Sequence, residues 1–351
     1  MKFKLPVWNS VKSRPFPENP TNLELKETSI KGLFVRKDKN FISYENDYSH
    51  MTPLDWKGFM EKIRNNKVNF IRENSKNVGD CLEVGAGDNY NLKFLKWKKF
   101  TICDPFLKSS ERKNVTFIKG YFEKIKFKRK FDTIIMFSVL EHCHKYNEFI
   151  KRAKKNLKKN GKIFIEVPVI GRQFLDGDFN CLLHEHVNYF TKKGLFNLLK
   201  NNKLSAEKFY FKNDTAFLCI KHNKENKNHD IDEQLLKLED YKKIFNNRLK
   251  NFGNFLKKNK GKKIVFYGAN NGLNILFFSV KEKLKLDYKN LFITDSDKNK
   301  WGKYLSGFKK PINNPKIIKN CDIICITALS FADEILNNLN KNKQIIKLNE
   351  L

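Results

Sequence analysis

Two short stretches carry residue types that could do chemistry. The first, CLEVGAGDNY at 81–90, runs an apolar strand into a loop with Gly85 and Gly87, and the carboxylate of Glu83 stands two residues before the first glycine. Glycines there let the backbone pass close to a ligand, and Asn89 tolerates positive φ in place of a third. A dinucleotide turn needs GxGxxG, with its third glycine where helix and strand pack closely. That position is Tyr90, so the nicotinamide fingerprint fails. What remains is a cradle of glycines and acids. It suits a nucleoside cofactor that carries an amino group and a sulfonium but no phosphate, namely S-adenosylmethionine. A second acid should hold the ribose hydroxyls from the end of the next strand, about 20 residues on; Asp104 in TICDP stands there.

The second stretch is LLHEHVNYFT, with His184, Glu185, His186, Asn188 and Tyr189. Three ionisable groups in a row can supply a general base near neutral pH. One histidine facing solvent and the other capping the following helix is the structural alternative. Histidines one residue apart without a third ligand in view make a weak metal pattern, and no metal is expected.

These residues must be held by elements that the hydrophobic pattern outlines. Apolar strands at 80–85, 100–104, 115–120, 131–139 and 161–168 alternate with helices in the 90s and at 147–157, which is the rhythm of a doubly wound parallel sheet. A helix bearing Phe59, Met60, Ile63 and Phe70 leads into the glycine loop. Beyond the second stretch come a helix at 192–202 and strands at 206–211 and 215–222. A long helix follows, with Leu235, Leu238, Tyr241, Phe245, Leu249, Phe252 and Leu256 on one face. The alternation then restarts with KKIVFYGANNGL, LFITDSDKN and CDIICITAL.

The expected organisation is α/β: a small irregular unit over 1–55, a Rossmann-like domain over 56–225, a connecting helix over 226–258, and a second, smaller α/β domain over 259–351. The first of these carries five of the nine prolines.

Lys and Arg outnumber Asp and Glu by 70 to 38, a formal net charge of +32. Such an excess favours anionic partners, but the lysines are spread along the chain among asparagines, so a solvated basic surface with a mouth for a diphosphate is expected rather than a nucleic-acid stripe. The seven cysteines form no CxxC pair and imply neither a zinc site nor a disulfide framework. With no run of 18 apolar residues and no signal-like start, a cytoplasmic protein without membrane insertion is expected.

Residues 60–222 resemble a class I S-adenosylmethionine-dependent methyltransferase: CLEVGAGDN is similar to the family's first motif, CDPF to its ribose-binding acid, GYFEKI to its adenine-flanking turn, and FDTIIMFSVLEH and LKKNGKIFIEVP to its fourth and fifth strands. The resemblance implies that Glu83, Gly85 and Gly87 line the methionine and ribose, and that Asp104 takes the ribose hydroxyls. It also puts Gly120, Tyr121 and Phe122 beside the adenine and Ser138 near the sulfonium. The turn after the fourth strand reads SVLEHC, without the Pro-Pro-aromatic or Pro-Cys turns of base methylases, which disfavours nucleic acid as acceptor.

HEHVNYFT, the C-terminal YGANNG and SDKNKWGKYLSG segments, and the N-terminal YENDYSHMTP together resemble the sugar C-methyltransferases of deoxysugar biosynthesis. That resemblance implies a nucleotide-linked sugar as substrate, with Tyr48, His184 and Tyr267 as residues that contact or activate it and His186 behind His184. The chain departs from that branch in having no cysteine before Cys81, where the branch has a zinc module, and in carrying Ala269 and Asn270 where some members have a Glu-His pair. A sugar O-methyltransferase is the alternative enzyme. A non-catalytic assembly protein is the alternative class, which the intact Glu83, Gly85, Gly87 and Asp104 argue against.

Overall fold

The computed structural model describes residues 2–6, 20–37, 59–75, 79–87, 94–107, 112–222, 229, 231–285, 287–339 and 342–351. Strands β1 (Lys2–Pro6), β2 (Pro20–Glu27) and β3 (Leu33–Arg36) precede helix α1 (Phe59–Asn74), β4 (Asp80–Val84), β5 (Lys99–Asp104), β6 (Val115–Lys119) and β7 (Phe131–Phe137). Then come α2 (Tyr146–Asn156), β8 (Leu157–Pro168), the single turn α3 (Arg172–Leu175), β9 (Asn188–Phe190), α4 (Lys192–Asn201), β10 (Leu204–Lys212) and β11 (Thr215–His222). The remainder is α5 (Leu238–Lys258), β12 (Ile264–Tyr267), α6 (Asn271–Leu284), β13 (Leu291–Thr294), β14 (Ile312–Asn313), β15 (Ile323–Ile326), α7 (Ala332–Asn337) and β16 (Gln344–Lys347).

Seven strands form the central sheet in the order β10-β11-β8-β7-β4-β5-β6. Strands β4 to β8 run parallel, and β11 enters antiparallel between β8 and β10. The middle strands, such as FDTIIMF in β7, are apolar on successive residues because both faces of a parallel sheet are covered. The strand order reverses between β4 and β7, and at such a switch point a crevice opens above the strands' carboxyl ends. The glycine loop after β4 lies there.

The N-terminal segment differs from the irregular unit expected. Leu23 and Leu25 alternate inward along β2, and β1, β2, β3 and β9 make a four-stranded antiparallel sheet. Its fourth strand is Asn188–Phe190, which pairs with Leu33–Val35. Pro20 is tolerated because it is the first residue of its strand. The residues after HEH are therefore a strand of the N-terminal sheet, and the histidines lie where two sheets meet.

The last sheet is wholly parallel, ordered β14-β13-β12-β15-β16. Helix α5 begins at Leu238, so Leu235 precedes it, and it is more than a connector. Its Tyr241 and Phe245 meet Phe34, Phe174, Phe179 and Phe3, while Phe252 meets Phe266 and Phe277. One apolar core thus joins the N-terminal sheet, residues 170–189 and the last sheet, each buried ring contributing about 1.5–3 kcal/mol. Among the described residues no helix is long and apolar enough to cross a membrane.

Candidate active site

The glycine loop is held by its neighbours. Gly85 (φ 70°) and Gly87 (φ 57°) sit in the left-handed region, and the Gly85 N–H donates to the Cys103 carbonyl at 2.9 Å. A Cβ on Gly85 would lie 2.5 Å from Val139 Cγ2, so glycine is required there by backbone and by space. Asp104 ends β5 with its carboxylate turned to the loop, where Oδ2 accepts from the Gly87 N–H at 3.2 Å and Oδ1 from the Phe106 N–H at 2.7 Å. Burial pushes this carboxyl above its ordinary range, against the pull of those two N–H groups. The Gly120 N–H donates to the Asp104 carbonyl at 3.1 Å, which brings the end of β6 beside the same loop. Glu83 is buried at the end of β4. Asn89 and Tyr90 lie outside the described residues.

Ser138, just past β7, also has positive φ (53°), and its Oγ donates to Glu166 Oε2 at 2.7 Å. Glu166 is buried near the end of β8 and is met by Lys67 Nζ from α1 at 2.9 Å. Neither partner was anticipated, although an acid inside the apolar run KIFIEVP was a visible signal. The acids and positive-φ glycines at the ends of β4 to β7 fit a sulfonium nucleoside. Phe122 requires a correction: it is 2% exposed, packs on Phe149 with centroids 4.8 Å apart, and so is a core residue that cannot flank a base. Tyr121 is exposed, with Lys124 over its ring.

Immediately beyond Ser138 the chain turns through Leu140–His142, and this turn is stapled to the second stretch. Asn188 Nδ2 donates to the carbonyls of Leu140 (2.8 Å) and Cys143 (2.7 Å), and the Val187 N–H to that of Glu141 (2.8 Å). Arg36 of β3 closes the far side, its guanidinium donating to the His184 carbonyl.

Five ionisable residues gather as a result. His184, Glu185 and His186 are buried, and His142 packs edge-on to His186 with centroids 5.0 Å apart. Glu141, 2% exposed, comes within 3.8 Å of the His142 Nε2. Burial lowers His142 to about 4, and burial together with Arg36 and His142 lowers His184 to about 4. Burial raises Glu185 to about 8. The capping or solvent-facing alternative for the histidines is excluded, since the cap of α4 is Thr191. Sequence reasoning missed Glu141 and His142, which stand in the SVLEHC turn it used only to reject base methylation.

Tyr267 is not brought into this cluster. Its hydroxyl bonds Ser296 Oγ at 3.0 Å, and its ring packs with Ile324 and Ile326 on the face of the last sheet opposite Phe266. Tyr48 lies outside the described residues.

A second glycine loop follows β12. Gly268 has φ 121°, and Asp295 at the end of β13 accepts the Ala269 N–H at 2.8 Å, repeating the relation of Asp104 to Gly87. Here, however, Lys300 Nζ bonds Asp295 Oδ2 at 2.9 Å and the Ala269 carbonyl at 3.1 Å. The head of α6 is occupied as well: the Gly272 N–H donates to Asn180 Oδ1 (2.9 Å) and Asn271 Nδ2 to the Leu182 carbonyl (3.0 Å). The chain's own segment 178–182 thus takes the place where an open α/β domain receives a phosphate.

Residues 56–207 match the model of a methyltransferase domain, and residues 220–346 that of a C-methyltransferase C-terminal domain. The ubiquinone biosynthesis O-methyltransferase of Pelagibacter ubique (strain HTCC1062) is 29% identical over 96 residues, 24% of this chain and 40% of that protein. The chain thus spans about two-fifths of that relative's length. Among solved structures, the N-methyltransferase NodS from Bradyrhizobium japonicum WM9 in complex with S-adenosyl-L-homocysteine is similar with a TM-score of 0.39 at 14% identity, covering 52% of this chain and 93% of that one. A DhpI–SAH complex is similar with a TM-score of 0.38 at 14% identity, covering 47% and 87%.

Proposed function

We infer, from the premise that the chain is an S-adenosylmethionine-dependent methyltransferase, that its acceptor is a nucleotide-linked keto-sugar methylated on the carbon beside the keto group. The setting would be deoxysugar or surface-glycan synthesis in the cytoplasm. The observation that carries this reading is the buried group of His184, Glu185, His186, Glu141 and His142 beside the glycine loop, in a chain whose C-terminal part matches a C-methyltransferase domain. The cofactor, when bound, supplies an electrophilic methyl group on sulfur.

The chain's residues do the rest. Glu83, Gly85 and Gly87 receive the amino-acid and ribose portions, and Asp104 takes the ribose hydroxyls. Gly120 and Tyr121 border the base, and Ser138, fixed by Glu166 and Lys67, borders the sulfonium. His184 is the proposed base: it takes the α-proton of the acceptor and leaves an enolate whose oxygen needs hydrogen-bond donors. His186 supports it from behind. Tyr48 remains a proposed donor to the acceptor oxygen, whereas Tyr267 is no longer one. The basic surface suits the sugar's diphosphate.

Incubation with a 4-keto-6-deoxy nucleotide sugar in deuterium oxide, without cofactor, tests the base. The wild type should exchange the α-proton, and His184→Gln should slow exchange about 100-fold, within the usual range for general bases, while binding S-adenosylmethionine as before. The O-methyltransferase similarity over 96 residues favours a second reading, methylation of a sugar hydroxyl. A wild type that methylates a hydroxyl acceptor and exchanges no α-proton would establish that reading instead.

A further inference from the structure

We propose that Glu141, His142 and His186 form a binding site for one divalent transition-metal ion in the buried cluster beside the glycine loop. Each offers one ligand atom, and the three atoms lie within 4.8 Å of one another. Two imidazoles and one carboxylate are the donor set that borderline divalent ions such as zinc, iron, cobalt or manganese take, with positions left open for an exogenous ligand.

The rings are also oriented as metal-ligating histidines are. A ligating imidazole hands its other ring N–H to a carbonyl or carboxylate, which fixes the tautomer and aims the bare nitrogen. His142 turns Nδ1 to the Glu185 carbonyl at 3.2 Å and thereby directs Nε2 toward Glu141. The His186 ring hydrogen-bonds the Cys181 backbone, which leaves one nitrogen for the cluster.

A second observation asks for a cation independently. Glu141 Oε2 is buried and has no hydrogen-bond partner among the described residues, in a side chain that is 2% exposed. An acceptor oxygen buried in this way is destabilising unless something satisfies it. A metal ion would do so and would balance the negative charge the carboxylate brings. The staple from Asn188 to the Leu140 and Cys143 carbonyls holds the geometry without help from the ion, so the site is built by the fold.

Glu141 lies two residues past Val139, which packs on Gly85, and its turn is stapled to Val187 and Asn188, so a metal here stands between the glycine loop and the stretch that carries His184. An acceptor with a keto or hydroxyl oxygen could take one of its open positions. That role rests on reading the cluster as the acceptor pocket, whereas binding of the ion does not.

The test is titration of Co²⁺ into the chelator-treated full chain, followed by its visible d–d absorption and by calorimetry. One equivalent should bind. Glu141→Gln and His186→Asn, each checked for an unchanged circular dichroism spectrum, should weaken binding at least about 10- to 100-fold, the size of effect that even outer-shell changes produce. Cys143→Ser, which alters a neighbouring thiol, should leave the spectrum unchanged, and Asp104→Ala should lose S-adenosylmethionine while keeping the ion. Failure of the wild type to bind one equivalent, or binding that survives both Glu141→Gln and His142→Asn, would overturn the site. A wild type that binds the ion but no S-adenosylmethionine would leave the site standing and overturn the methyltransferase reading alone.

Discussion

At the ends of β4 and β12 the chain makes the same construction twice. Each strand runs into a glycine with positive φ, and each loop N–H donates to an aspartate at the end of the next parallel strand, Asp104 in one case and Asp295 in the other. Both loops stand where the strand order of their sheet reverses. The difference is what completes them. The donors to Asp104 among the described residues are two backbone N–H groups, and no side-chain cation of those residues sits on it. Asp295 is met by Lys300, and the helix after its loop receives Asn180. The same backbone device thus stands at the proposed cofactor site in one sheet and, filled by Lys300 and Asn180, makes a joint between parts of the molecule in the other. The joint has a use, since the segment it grips, 178–182, leads directly into His184–His186.

The contrast can be broken from either side. Gly85→Ala has the largest expected effect: strain of about 1–2 kcal/mol from a left-handed alanine adds to the clash with Val139, and S-adenosylmethionine affinity should fall about 100-fold, equivalent to roughly 2.7 kcal/mol. Equilibrium binding checks it.

Gly272→Ala should act on the other half of the reaction. Its Cβ would lie 2.6 Å from Asp178 Oδ1, which displaces the 178–186 segment, so turnover should drop about 10-fold, or 1.4 kcal/mol, at unchanged cofactor affinity. Steady-state kinetics beside calorimetry separates the two quantities.

Lys300→Met leaves Asp295 without its cation. Because the lysine is 30% exposed, the cost is about 1–2 kcal/mol rather than that of a fully buried pair. Thermal melting should reveal it, again with cofactor binding intact.

Asp178→Asn gives the smallest effect and a pH signature. Burial raises the Asp178 carboxyl to about 6 in the fold, above its ordinary 3.8, so the folded state holds the proton more tightly and stability is lost as pH rises from about 4 through 6. Asparagine removes that loss. The variant should melt higher than wild type above pH 6, by a gain on the order of 1 kcal/mol, and show no advantage near pH 4.

Much of this was legible in the sequence. The parallel sheet could be read because its strands are apolar on successive residues, as in FDTIIMF and KIFIEV, and Glu83 and Asp104, the proposed cofactor acids, because they stand at strand ends. The β9 pairing could not, since a three-residue strand has no period of its own and its partner lies far away in the chain. Glu141 and His142 were invisible for a related reason: only the Asn188 staple brings SVLEHC onto HEHVN. Phe122 was placed beside the adenine by resemblance alone, and nothing local in GYFEKI shows that its ring faces Phe149. Likewise nothing local in YGANNG reveals that Asn180 fills the loop after β12.

The most direct measurement is a calorimetric titration of S-adenosylmethionine into wild type, Asp104→Ala and Asp295→Asn. The account predicts one site per chain, abolished by Asp104→Ala and retained by Asp295→Asn. No binding to the wild type, or a site that survives Asp104→Ala and is lost with Asp295→Asn, would contradict it.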